Sequence, residues 1–267
     1  MSTTAGASIL FIPHGGGPLP LLGDPGHARL CAFLTQMGQS LPRPQAIVLI
    51  SAHWKAEQAR ITSAARPELI YDYSGFPPES YQLMYPASGH ATLACELQRA
   101  LSNEGLIAHL DATRGFDHGM FVPLTLMYPN ADIPVVQLSL LSSLDGAEHI
   151  AMGRALRVLR DRRLLVLGSG ATYHNLQAYF AGTMDRDAHH QFENWLAQQC
   201  CDETLSDDTR QTALAHWQRA PGALHCHPRA EHLMPLQVCA GMARGPAQRV
   251  FFDEVMGELS SAFLWQY

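Results

Sequence analysis

Apolar residues along the chain fall into short continuous runs rather than long periodic stripes. Ala46-Ile47-Val48-Leu49-Ile50 is rich in β-branched residues and is bounded upstream by Pro42 and Pro44. A run of this length without polar alternation predicts a strand buried on both faces. Ile9 to Ile12, Ile133 to Leu140 and Leu164 to Leu167 read the same way, and Leu106 to Leu110 reads as a shorter strand. Val250-Phe251-Phe252 and Phe263-Leu264-Trp265 predict late strands. Between these runs helical spacing returns: Leu30, Cys31, Leu34 and Met37 within His27 to Met37, then Ala91 to Leu101 and His149 to Leu159. Asp185 to Cys201 is amphipathic through Phe192, Trp195 and Leu196, with His189 and His190 read as solvated. Met120 to Met127 holds Pro123, which a first helical turn tolerates, so a helix is predicted to begin near Phe121 or Val122. Asp202 to Arg210 reads as an irregular surface connection. Alternating strands and helices with no repeat and no linker predict one α/β domain over 1–267. Its expected form is three layers, a central, mostly parallel or mixed sheet flanked by helices.

Composition narrows the class. Hydrophobic residues make up 47% and charged ones 16%, which excludes a disordered chain. A net charge of −6 gives no basic footprint for nucleic acid, and no apolar run approaches the ~20 residues of a membrane span. Met1 to Ser8 lacks the basic start and apolar centre of a signal peptide. The six cysteines, Cys31, Cys95, Cys200, Cys201, Cys226 and Cys239, have no CxxC spacing, so reduced thiols in a cytoplasmic protein are expected. Fourteen histidines against eighteen Lys plus Arg is the unusual balance, and it directs attention to where histidines sit.

Three of the buried strands run into a histidine beside small residues: His14 before Gly15-Gly16-Gly17, His53 after Ser51-Ala52, and His174 after Gly168-Ser169-Gly170. Ligands of open α/β sheets sit beyond the carboxyl ends of strands, so these histidines are candidates for one metal site there. A tight turn with an incidental histidine accounts for His14 equally well. The third ligand could be His174, Glu231 or His232; consecutive helical residues point ~100° apart, so Glu231 and His232 would not serve one ion equally. His118 stands just ahead of a predicted helix N-terminus, or is a turn histidine capped by Asp117. Ile70 to Pro86, dense in Tyr, Phe, Pro and Gly, predicts an ordered loop. It either walls a flat apolar ligand or simply packs over the core.

Taken in order, His14-Gly-Gly-Gly-Pro18, Ser51-Ala-His-Trp54, Tyr71-Asp-Tyr-Ser-Gly-Phe-Pro-Pro78, Gly115-Phe-Asp-His-Gly119, Val136-Gln-Leu-Ser139, His174-Asn-Leu176 and Glu231-His-Leu-Met-Pro-Leu236 form a joint pattern. It resembles the class III extradiol ring-cleaving dioxygenases of the LigB type, most closely their DOPA-dioxygenase-like branch. The resemblance implies a mononuclear non-haem Fe(II) centre, which zinc often occupies after purification. It places metal ligands on His14, His53 and His232, with His174 close to the ion and Glu231 the alternative to His232. It also implies a catechol and dioxygen as substrates and a semialdehyde acid as product. A group poised near neutrality must then accept and return a proton. His174 is the candidate, with His118 a further donor, and Trp54, Tyr73 and Phe76 candidate walls for the ring. A monomer or small homo-oligomer is expected. Two other readings fit the same histidines, a zinc-dependent hydrolase and a Memo-like non-enzymatic binding protein; the first is weakened because no carboxylate base is evident beside them.

Overall fold

The computed structural model describes residues 6–266. The reading of Met1 to Ser8 and the outer limits of the 1–267 domain therefore lie partly outside the described residues. In chain order the elements are β1 (Ser8–Pro13), α1 (Ala28–Ser40), β2 (Ala46–Ala56), β3 (Ala59–Thr62), α2 (Ala91–Asn103), β4 (Ala108–Asp111), α3 (His118–Met127), β5 (Val135–Leu141) and α4 (Gly146–Ala155). There follow β6 (Leu164–Gly170), α5 (Leu176–Ala181), α6 (Arg186–Cys201), α7 (Asp207–Ala215), α8 (Ala223–Cys226), α9 (Met234–Met242), β7 (Gln248–Val255) and β8 (Glu258–Trp265).

The eight strands form a single α/β domain around one mixed sheet of order β4-β3-β5-β2-β6-β1-β8-β7. Its centre, β5-β2-β6-β1, is parallel, while β8 and β7 join antiparallel at one edge and β3 joins β5 antiparallel towards the other. Strand alternation divides the apolar residues into two cores. Ile9, Phe11, Val48, Ile50 and Val166 face one way, under α2, α4, α6 and α9. Leu10, Ile12, Ile47, Leu49, Leu165 and Leu167 face the other, under α1, α3 and residues of β7 and β8. Burying each of these side chains stabilises the fold by about 1.5–3 kcal/mol before chain entropy is counted. Two covered faces explain why the strands read as unbroken apolar runs.

β6 enters the sheet between β1 and β2, so the three strands that run into histidines are neighbours. Their carboxyl ends open on one side of the sheet, which is where the site lies.

Four local expectations change. β2 continues through His53 and Trp54 to Ala56, because its far half pairs with Leu140 and Leu141 across a bulge. α3 starts at His118 rather than at Phe121 or Val122, with Pro123 inside it. Residues 207–215 form a helix capped by Ser206, whose hydroxyl accepts from the Thr209 amide, where an irregular connection was expected. His189 is buried rather than solvated, its ring lying against Tyr173.

Candidate active site

Pro123 sets the first piece of the site. It has no N–H to give to the carbonyl of Gly119, four residues earlier. The Ser169 hydroxyl at the end of β6 donates to that carbonyl instead, at 2.5 Å. The same hydroxyl lies 3.0 Å from His14 Nδ1 and, its proton committed, accepts from that nitrogen. His14 is thereby fixed with its proton on Nδ1 and a lone pair on Nε2. His14 Nε2 faces His53 Nε2 at 3.1 Å. A proline in a helix thus orients an imidazole on another strand.

His118 is oriented from the other side. Asp72, in the aromatic loop, accepts from the His118 amide at 3.0 Å and lies 2.8 Å from His118 Nδ1. Its second oxygen is 3.6 Å from His53 Nδ1. Burial raises the Asp72 pKa, but the hydrogen bonds and charge of His118 outweigh this and hold it down at about 2. Asp117 occupies the cap position of α3 without capping it. It is instead a buried hub that accepts from Ser51 Oγ at 2.7 Å and from Gln137 Nε2, with Arg114 at 3.2 Å. Ser51 in turn accepts from the His53 amide at 3.1 Å.

His232 arrives from the turn before α9. Its carbonyl accepts from the Ala171 amide at 2.9 Å. A Cβ on Gly170 would stand 2.0 Å from that carbonyl oxygen, so glycine is what lets the turn reach β6. Because Glu231 and His232 lie in a turn and not in a helix, the 100° helical offset expected between them does not apply. The His232 ring stacks on His174 at 3.3 Å between centroids and 12° between planes. It lies 5.3 Å from His14 and 5.1 Å from His53. His53 and His118 are 3.9 Å apart by the same measure.

Five histidines, His14, His53, His118, His174 and His232, therefore converge at the carboxyl ends of β1, β2 and β6. Ligand atoms of His14, His53 and His118 lie within 4.8 Å of one another, and so do those of His174, Glu231 and His232. Burial, and the neighbouring imidazoles, push His14 and His232 far below the ordinary histidine pKa. Burial and His118 lower His53 as well, and burial lowers His174. Imidazoles crowded in this way disfavour one another's protonated forms, and neutral rings with converging nitrogens suit a divalent transition ion. His232 Nδ1 is buried without a hydrogen-bond partner, as is Glu231 Oε2. On the chemistry of its donors, the cluster fits a metal.

A cavity of about 490 Å³ opens over the cluster and includes Tyr73 and Phe76 in its walls. Tyr73 lies 5.5 Å from Phe76 and 5.7 Å from His118, ring to ring. Gly17, at φ +57°, leaves the space that Phe76 covers. Trp54 departs from expectation: it is not among the residues lining the cavity. Successive residues of a strand face opposite ways, so with His53 turned to the cavity Trp54 is turned from it, buried with the Arg114 guanidinium 5.3 Å from its ring centre. Asp72 is the residue sequence reasoning passed over. It lies inside a motif already singled out, but its sequence neighbours are tyrosines and nothing local links it to His118.

The family model for the catalytic LigB subunit of aromatic ring-opening dioxygenase matches residues 25–263. The chain is 42% identical to a dioxygenase named tasH from Hapsidospora irregularis, over 97% of this chain and 85% of that protein. It is 36% identical to the 4,5-DOPA dioxygenase extradiol of Beta vulgaris, over 87% of this chain and 85% of that one. A crystal structure of an uncharacterised protein of Escherichia coli K12 superposes with a TM-score of 0.76 at 31% identity, covering 96% of this chain and 98% of that one. With the histidine cluster at the strand ends, these likenesses make the chain a member of the LigB-type class III extradiol ring-opening dioxygenases, in their DOPA-dioxygenase-like branch.

Proposed function

We propose that this enzyme cleaves a DOPA-like or related catechol beside one hydroxyl, inserting both atoms of dioxygen, at a mononuclear non-haem Fe(II) held by His14, His53 and His232. The observation that carries the reading is the convergence of neutral, oriented imidazoles, above all His14 Nε2 and His53 Nε2 at 3.1 Å, on one point of the cavity floor. Bound there, Fe(II) supplies Lewis acidity towards the catechol oxygens and a redox-active centre for dioxygen, and zinc would supply only the first.

The remaining groups have work that follows from their positions. His174 lines the cavity beside His232 with a ring that burial keeps neutral, so it can take a phenolic proton and return it later. His118, its Nδ1 proton turned to Asp72, presents Nε2 to the cavity and orients the substrate or dioxygen. Tyr73 and Phe76 give flat apolar contact to the ring. Both oxygen atoms enter the product, so no external reductant is needed. All six cysteines are free thiols and no helix among the described residues is long and apolar enough to cross a membrane, which supports a cytoplasmic enzyme acting on small molecules.

The test is ring cleavage after anaerobic reconstitution with Fe(II) and separately with Zn(II), followed by the absorbance of the semialdehyde. Fe(II) protein is expected to turn over and Zn(II) protein to remain silent. His14→Ala, His53→Ala and His232→Ala should each lose most bound metal, whereas Glu231→Ala should keep it. Full metal content in His232→Ala with loss in Glu231→Ala would transfer the third ligand to the carboxylate.

A further inference from the structure

The walls of the cavity differ from its floor. Beyond the histidines, the tyrosine hydroxyls are turned to nearby backbone: Tyr73 donates to Ser80 O at 2.5 Å and Tyr179 to Met256 O at 3.1 Å. Tyr173 reaches Asn175 O at 3.4 Å. No lysine or arginine lines the cavity among the described residues. Arg229 is paired with Glu231 at 3.4 Å. Among the described residues the one carboxylate in the wall is Glu258, at the start of β8, largely buried and 3.6 Å from His189 Nδ1.

The outer part is apolar, and the cavity as a whole is larger than a bare catechol requires, since about 490 Å³ falls in the range that encloses drug-sized ligands. Leu176 and Phe180, one helical turn apart on α5, line it while remaining 48% and 76% exposed. Val255 and Met256 face them from the β7–β8 hairpin, which the Tyr179 hydroxyl ties to α5. These two large apolar side chains leave apolar surface at the mouth of the cavity open to a ligand.

We propose that the catechol accepted here carries a bulky apolar ring substituent without an anionic group, lying between α5 and the β7–β8 hairpin, with Glu258 excluding carboxylates. This rests on the ring-cleaving reading and narrows its substrate from DOPA-like catechols to related ones whose ring substituent is apolar and uncharged. A substrate carboxylate would meet no lysine or arginine among the described lining residues and one like charge, Glu258. An alkyl substituent would instead bury apolar surface on both partners.

The test uses the Fe(II)-reconstituted enzyme with 4-methyl-, 4-propyl- and 4-pentylcatechol, 3-(3,4-dihydroxyphenyl)propionate and DOPA. Anaerobic calorimetric binding of the same compounds runs beside turnover. From methyl to pentyl, kcat/KM should rise by up to about fourfold per methylene. The propionate should fall at least tenfold below propylcatechol. Glu258→Gln should narrow that gap, and Phe180→Ala, a change at an exposed position, should flatten the chain-length series. Equal or better kcat/KM and affinity for the propionate and DOPA would overturn the proposal and leave ring cleavage standing. No turnover of any catechol by iron-loaded protein would overturn the ring-cleaving reading instead, and calorimetry would still rank the substituents.

Discussion

At the scale of single residues, His174 and Asp72 have separable tasks. His174 stacks on His232 and lines the cavity, where its ring can meet the substrate. His174→Phe keeps the stack and removes the nitrogen. It should fold, keep most of its Fe(II), bind catechol and turn over about 10²–10⁴ times more slowly, losing one limb of the pH–rate profile. Iron analysis decides between roles, because a slow variant that holds no iron would make His174 a ligand. Asp72 holds His118 by backbone and ring and reaches towards His53. Asp72→Asn keeps the shape but loses the charge that fixes the His118 tautomer. Groups that orient a metal site in this way are typically worth 10–100-fold in affinity or activity, and that loss is expected. Unchanged turnover and metal affinity in Asp72→Asn would confine the carboxylate to loop packing.

At the scale of elements, the site depends on how closely the turn before α9 meets β6. Gly170→Ala would drive a Cβ into the His232 carbonyl, so either β6 or the turn must yield. The expected result is a loss of about 1–3 kcal/mol in stability together with weakened metal binding. Metal titration and thermal melting of the same variant check it; normal values for both would mean that the turn is free to move. This junction also shows what the sequence could reveal. Each of the three strands running into histidines could be read alone, because two covered faces demand unbroken apolar runs. Their adjacency could not, since β6 is inserted between β1 and β2 by a crossover from the far half of the chain. His189 was misread for a related reason. Helical spacing locates one apolar stripe, and β8, which supplies Glu258 opposite His189, arrives sixty-odd residues later in the chain. The start of α3 was displaced because its cap, Asp72, is distant in sequence, and Pro123 beyond the first turn costs little once Ser169 satisfies the freed carbonyl. Trp54 failed as a wall by the strand alternation that makes His53 succeed.

For the whole molecule, the decisive property is how many histidines the fold keeps neutral, away from the site as well as in it. His149 Nε2 accepts from the Leu141 amide at 3.1 Å while Nδ1 lies 2.6 Å from the Asp145 carbonyl, so both nitrogens are committed to the neutral form. Burial lowers its pKa. Burial lowers His227 to about 3 and His189 to about 4 as well. These folded values lie below the unfolded one near 6.5. Between the two, the unfolded chain binds more protons than the folded one, so stability rises with pH and is lost as pH falls below about 6.5. For His227 that loss runs at about 1.4 kcal/mol per pH unit, roughly 2 kcal/mol between pH 7 and 5. Glu193, Asp117 and Glu258 act in the opposite direction. Burial raises their pKa values, so the penalty for keeping them in the fold shrinks as they protonate. They are fewer than the lowered histidines, so the histidines set the sign near pH 6. Metal-free protein is therefore expected to lose several kcal/mol of stability from pH 7 to 5, read from urea unfolding. His149→Gln, which can still accept from Leu141, should unfold with a shallower pH dependence over that interval. A flat profile in the parent protein would mean that the unfolded chain keeps its histidines neutral too. An unchanged slope in His149→Gln would remove that residue from the set that makes the fold sensitive to acid.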